Sequence, residues 1–294
     1  MTTRAGIVTV AGKPNAGKST LLNRLVGEHL AITSPKAQST RDRIVGIRTA
    51  GDVQMILLDT PGLLEPKHAL HQSMRGTSLG ALREADVIVH VVDASADVVR
   101  PLAEVAGLPE PLRAPVIVAL NKSDLLDKKA LRALTEDHAD AVFLSARTGD
   151  GLEKLIAAIA AKLPESPFLY PEDDLSTQHL RFFAREAVRE AALEQLDEEV
   201  PHALACEIEE FRETSTPVYI RATLHVERDS QKRILIGSGG QRIKAIGVQA
   251  RKRIEVLVGG AVYLDLRVKV LPNWRRNPVA LARLGYPLPR KDDK

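Results

Sequence analysis

The 294-residue chain is 44% hydrophobic and 27% charged, with 41 basic against 38 acidic side chains and a formal charge of +3. That is the profile of an ordinary globular protein long enough for about two domains. Its one cysteine, Cys206, excludes an internal disulfide framework and a cysteine-based zinc cluster, and its eight histidines are scattered rather than set at metal-ligand spacing.

No run is long and apolar enough to span a bilayer. The amino terminus enters a strand pattern at once and lacks a signal-peptide cleavage region, so a cytoplasmic protein is expected. In chain order, "GIVTVAG" reads as a strand, and "KSTLLNRLVG" after it has helical spacing. "RIVGIRTA" and "VQMILLD" are strands joined by Gly51-Asp52, a connection so short that it permits only an antiparallel hairpin. "HALHQSMRGTSLGALREA" is helical, "DVIVHVVDA", "PVIVALNK" and "AVFLSA" are strands, and "GLEKLIAAIAAKL" is a helix. Near-continuous apolar strands separated by helices imply a mostly parallel, mixed α/β sheet covered on both faces, here over residues 1–163. The proline-rich "LPESPFLYPEDDLS" has no periodicity, and residues 164–177 are read as a linker. Residues 178–294 then run helix, strand, strand, helix, helix, strand: the amphipathic "HLRFFAREAVREAALEQL", "ALACEIEEFRE", "PVYIRATLHVER", the two helices within "QKRILIGSGGQRIKAIGVQARKRIEVLVG", and "AVYLDLRVKV". This is a compact α+β unit.

The first turn carries chemistry. Gly12-Lys13-Pro14-Asn15-Ala16-Gly17-Lys18-Ser19 satisfies G-x-x-x-x-G-K-[ST] between a strand and a helix. Its glycines let backbone N–H groups, with that of Thr20 at the helix start, turn toward phosphate oxygens. Lys18 reaches the β- and γ-phosphates, and the Ser19 hydroxyl suits Mg²⁺. In "LLDTPG", Asp59 ends an apolar strand where a carboxylate holds Mg²⁺, and Gly62 offers an N–H to the γ-phosphate. "NKSD" supplies a base reader: the Asp124 carboxylate accepts from both N1–H and the exocyclic amino group of guanine, a donor pair that adenine lacks. Asn121 is expected to tie the base loop to the phosphate loop, and the Lys122 stem to lie along the base. "SAR" follows the next strand, with Ser145 at its head and the Ala146 N–H offered to the guanine oxygen.

These motifs stand in the order found in small GTPases. More closely, "GKPNAGKSTLLNRL", "ITSPKAQSTR", "DTPGL" and "NKSDLL" resemble the Era family of bacterial GTPases, and with the C-terminal unit the resemblance covers nearly the whole chain. It implies that Thr40 closes over Mg²⁺ and the γ-phosphate, with Ile32–Ile44 as the first switch and Asp59 to about Met74 as the second. Ras-type enzymes place a glutamine after DxxG to orient water. Leu63 stands here and cannot, so hydrolysis is expected to be slow or assisted by other groups. In related GTPases the residue matching Asn15 helps hold K⁺ against the phosphates; the alternative is that Asn15 only shapes the loop.

Gly237-Ser238-Gly239-Gly240, between two helical patterns, resembles the GxxG loop of a type II KH domain, which clamps about four nucleotides of single-stranded nucleic acid. Lys232, Arg233, Arg242, Lys244 and Arg251 gather around it, with Arg228, Lys252 and Arg253, either as solvated helix faces or as an RNA footprint. The loop carries no basic residue of its own, so the flanks must attract phosphate. Trp274, beside Arg275 and Arg276, is a candidate for stacking on a base or for covering a core edge. The resemblance implies a monomeric GTP-hydrolysing switch using GTP/GDP and Mg²⁺. It also implies binding to the 3′ end of 16S ribosomal RNA, assistance to 30S subunit assembly, and peripheral contact with the inner membrane. Two other readings stay open: a GTPase acting on another RNA, and an RNA-binding module that uses GTP only as a structural ligand.

Overall fold

The hairpin and the crossovers expected from the apolar runs are in place. The computed structural model describes residues 2–34, 36 and 38–289. Residues 35 and 37 of the expected first switch and 290–294 of the tail lie outside the described residues. The first unit comprises β1 (Arg4–Ala11), α1 (Lys18–Val26), β2 (Ile44–Ala50), β3 (Val53–Asp59), α2 (Ala69–Glu84), β4 (Val87–Asp93), α3 (Leu102–Ala106), β5 (Val116–Asn121), α4 (Lys128–Asp137), β6 (Val142–Phe143) and α5 (Leu152–Lys162). Its sheet has the order β2-β3-β1-β4-β5-β6. Only β2 runs antiparallel, paired with β3 from Ile44↔Asp59 to Ala50↔Val53. β4 is buried at every position because helices cover both faces. The loops after β1, β3 and β5 therefore emerge at one edge of a parallel sheet, where α/β proteins bind ligands.

Two short helices, α3 and α4, were not marked by the apolar pattern. Helix α4 buries no residue and is held by its cap, the Asp127 carboxylate accepting from the Ala130 N–H at 2.7 Å. "AVFLSA" yields only the two-residue β6, because from Ser145 the backbone leaves the sheet to bond Asn121 and Asp150 instead.

The second unit comprises α6 (Leu180–Gln195), α7 (Val200–Ala203), β7 (Ala205–Arg212), β8 (Val218–Val226), α8 (Asp229–Ile236), α9 (Gln241–Val258), β9 (Val262–Val270) and α10 (Pro278–Arg283). β7 and β8 are antiparallel, β8 and β9 parallel. A parallel neighbour requires a crossover, and α8–α9 provides it. Val188, Ala191, Leu224, Leu235, Ile246 and Ile254 form the core between helices and sheet.

The segment 164–177 is pinned to the first sheet. Gln54 Oε1 accepts from the N–H groups of Leu169 and Tyr170 at 2.8 and 3.0 Å, and the Ile47 N–H donates to the Leu175 carbonyl at 2.8 Å. A further core joins the two units: Leu70 and Met74 of α2 pack with Ala205, Trp274, Leu281, Leu284 and Tyr286.

Candidate nucleotide site and nucleic-acid face

The loop after β1 opens into a cleft of about 470 Å³ lined by Asn15, Lys18, Ser19, Thr40, Gly62 and Lys122, among others, within the usual size of a small-ligand site. Gly12, Lys13, Pro14 and Asn15 make the turn, with Asn15 in the left-handed region at φ 62°. Gly17 has φ 96°, and a Cβ there would stand 2.2 Å from Asn121 Nδ2, so only glycine lets the two loops meet. Asn121 ties them as expected: its Nδ2 donates to the Ala16 carbonyl at 2.8 Å. Thr20 lines the cleft from α1, and Gly62 packs backbone to backbone on Pro14.

Lys18 is buried and donates to the Lys13 carbonyl at 2.8 Å. Burial pulls its pKa down to about 8, against the opposing pull of Asp59. Ser19 Oγ donates to Asp59 Oδ2 at 2.6 Å, lies 2.8 Å from Thr40 Oγ1, and Thr40 Oγ1 donates to the same carboxylate oxygen at 3.2 Å. Asp59 is wholly buried, which pushes its carboxyl above the usual range, and its Oδ1 has no hydrogen-bond partner. A buried, orphaned carboxylate oxygen among two hydroxyls is an all-oxygen donor set that fits a hard cation such as Mg²⁺. Leu63 is buried beside Ala11 and Ile88 and gives its N–H to the Gly12 carbonyl at 3.0 Å, so its side chain cannot orient a water.

At the base end, Lys122 (φ 63°) is held by Asp93 at 2.5 Å. Asp124 is paired with Arg147 at 2.6 Å; the Ser145 hydroxyl, then Arg147, hold its carboxyl below the usual range against its desolvation. The Ala146 N–H, expected from the sequence to face the guanine oxygen, donates here to Asn121 Oδ1 at 2.9 Å. Asn121 thereby spends both ends of its amide on holding three loops together. Sequence reasoning also missed Arg24, whose Nε donates to the Ala146 carbonyl at 3.3 Å, and the Lys13–Asp97 pair at 2.6 Å. The one available signal for Arg24 was a basic residue in the last turn of α1.

Around Thr40 the second unit intrudes. Arg41, 2% exposed, donates to the carbonyls of Leu204, Pro201 and His202 at 2.5, 3.1 and 3.3 Å. Arg189 of α6 donates to the Ser39 carbonyl, and Arg185 pairs with Asp42. Nothing local in "QSTRDR" marks these contacts, because every partner lies some 150 residues away in sequence.

The expected nucleic-acid loop has the required backbone. Gly237, Gly239 and Gly240 all have positive φ, and a Cβ on Gly237 would meet Arg242 Cβ at 2.8 Å. Ser238 and Gly239 are exposed, as are Arg233, Lys244 and Arg251, with Lys232 half-buried beside them. Arg242 serves the turn itself, donating to the Ile234 carbonyl at 2.6 Å. Arg251 lies near Glu255 at 3.7 Å, and Arg253 turns inward to Glu190 and Glu194. Of the two readings of Trp274, the structure favours the core edge over stacking on a base. The indole is 0% exposed, its Nε1 donates to the Ala203 carbonyl at 2.9 Å, and it lies in the core shared with α2, where no base can reach it.

Comparisons with known proteins agree with this geometry. Residues 7–122 match the family model "50S ribosome-binding GTPase" and residues 199–275 the model "KH domain". The GTPase Era of Pseudomonas putida (strain W619) is 43% identical over 298 aligned positions, covering 97% of each chain. That of Synechocystis sp. is 43% identical, covering 96% of this chain and 92% of its own. A crystal structure of Era in complex with MgGDPNP and nucleotides 1506–1542 of 16S ribosomal RNA superposes with a TM-score of 0.90 at 39% identity, over 97% of this chain and 100% of its own. A variant of Aquifex aeolicus Era bound to GDP·AlF4⁻ gives 0.89 at 40% identity, with the same coverage.

Proposed function

Because the chain belongs to the Era family, a P-loop GTPase domain followed by a KH domain, we propose that it couples its GTP cycle to recognition of the 3′ end of 16S ribosomal RNA during 30S subunit assembly. The GTPase activity itself follows from family membership. The observation that carries the site assignment is the meeting of Ser19 Oγ, Thr40 Oγ1 and the buried Asp59 carboxylate beneath the phosphate loop. Those residues would hold Mg²⁺, which supplies positive charge to the phosphate oxygens during transfer. Lys18 adds a second charge from a buried position, where it acts with little screening. Backbone N–H groups of the Gly12–Thr20 turn and of Gly62 orient the γ-phosphate. Asp124 selects guanine, and Asn121 keeps the base loop in register with the phosphate loop. Asn15, at the mouth of the cleft, is assigned to K⁺ placed against the phosphates.

The exposed GxxG turn and the cations of α8 and α9 support RNA binding. Among the described residues no helix is long and apolar enough to cross a bilayer, and the proposal includes a cytoplasmic monomer with peripheral contact to the inner membrane. The test pairs single-turnover GTP hydrolysis with binding of a labelled RNA carrying the 3′ end of 16S RNA. Hydrolysis with specific binding is expected. Binding without hydrolysis would reduce GTP to a structural ligand, and hydrolysis with no preference for this RNA would assign the KH face to another RNA.

A further inference from the structure

Three contacts with the second unit bracket Thr40: Arg189 to the Ser39 carbonyl, Arg41 into the carbonyls of 201, 202 and 204, and Arg185 to Asp42. Among them the Arg189 contact bears most directly on the metal site. The Ser39 carbonyl and the Thr40 N–H belong to one planar peptide unit. Fixing that oxygen therefore fixes the plane from which Thr40 projects its hydroxyl toward Ser19 and Asp59.

Arg189 is built for such a task. Its side chain is 1% exposed, and Glu186, one turn earlier on α6, accepts from its Nε at 3.2 Å and its Nη2 at 2.5 Å. A buried carboxylate–guanidinium pair is a costly way to stabilise a core, since apolar residues of similar volume serve as well or better. Its planar fork gives direction instead, and here one arm is aimed across the boundary between the two units. We propose that Arg189, oriented by Glu186, is a positioning residue for Thr40, so that the RNA-binding half of the chain supplies part of the rigidity of the GTPase metal site.

The proposal rests on reading Thr40 as the metal threonine, and the experiment separates the two. Switch segments are ordered by the γ-phosphate and its metal, and are released when only GDP remains. A positioning residue for Thr40 thus acts on the triphosphate state alone. In the full-length protein with Mg²⁺, release of a fluorescent GDP and of a fluorescent non-hydrolysable GTP analogue is timed for each variant. Arg189→Met is made together with Glu186→Gln, so that opposite charges leave the core together, while Arg185, which also lies 3.3 Å from Glu186, keeps Asp42 as its partner; Arg189→Lys keeps a donor. The double variant is expected to release the analogue about tenfold faster, the loss of roughly one charge-assisted hydrogen bond, while GDP release is unchanged, and Arg189→Lys should recover part of the difference. Equal acceleration of both nucleotides, or none, overturns the proposal. Thr40→Ala must itself speed release of the analogue; if it does not, the reading of Thr40 falls and the proposal with it.

Discussion

Asp124 decides the base by accepting two hydrogen bonds from guanine. Asp124→Asn puts a donor where an acceptor is needed, so GTP binding should weaken by about 1.5–3 kcal/mol, roughly ten- to a hundredfold. Xanthosine triphosphate, with a carbonyl in place of the amino group, should bind better than GTP. A competition titration with the two nucleotides checks this. Asp124→Asn keeps an acceptor oxygen for Ser145 and Arg147 and leaves the Asn121 links from Ala16 to Ala146 untouched, so the substitution should leave the fold intact. At Asn15, K⁺ should accelerate hydrolysis more than Na⁺ at equal ionic strength, and Asn15→Ala should abolish the difference while nucleotide binding survives. Equal rates in the two salts would leave Asn15 shaping the loop only.

Among the elements, the turn between α8 and α9 is the most exposed to test. A Cβ on Gly239 would meet nothing within 4 Å, so replacing Ser238 and Gly239 by Asp costs the fold little beyond a strained φ of 56°. It sets negative charge where phosphates pass, and RNA affinity should fall while nucleotide affinity holds. Single-strand binding by the native chain should weaken with salt at a slope of about −0.7 per phosphate neutralised. Helix α6 yields a pH prediction. Glu190 hydrogen-bonds His29 at 3.1 Å, and that bond raises the His29 pKa above 6.5 against partial burial. Because the folded value exceeds the unfolded one, the stabilisation is complete below about pH 6.5 and is lost as pH rises through the folded value. The thermal midpoint of the native chain should therefore exceed that of His29→Gln by a margin that shrinks on going from about pH 6 to about pH 8. With His29 half-exposed the margin is small. Most of these elements were legible in the sequence, because strands buried on both faces are near-continuously apolar, as "VIVHVVD" is apart from His90 and its terminal Asp93. Helix α4 was not, since it buries nothing and leaves no apolar stripe. The phosphate and base loops were legible as motifs, because their chemistry is local. The partners of Ser39, Arg41 and Asp42 were not, because tertiary packing chooses them.

For the molecule as a whole, the packing of α6 and the 200–204 segment on the first switch predicts linkage between nucleotide state and RNA affinity. If ordering Thr40 shifts this contact, RNA must bind the two nucleotide states differently, and must reciprocally favour the state it prefers, by about 1–3 kcal/mol. The GTP form is expected to be the stronger binder. Titrating RNA against protein loaded with GDP or with a non-hydrolysable GTP analogue measures this, and identical affinities would show the two halves to be independent. The buried indole at the junction has a consequence for how such states can be watched. Trp274 is the only tryptophan in the chain, and the Arg41 guanidinium lies 5.7 Å from its ring centroid and the Tyr286 ring 6.3 Å. A cation held over an indole in a dry setting alters the energy of its excited state, and withdrawing it exposes the ring to water. Ultraviolet emission of the unlabelled protein should then be blue and shielded from quenchers while Arg41 is docked, and red-shifted and quenchable once it withdraws. Excited at the red edge of absorption, where its four tyrosines are silent, this chain reports from one indole, seated where the two halves meet.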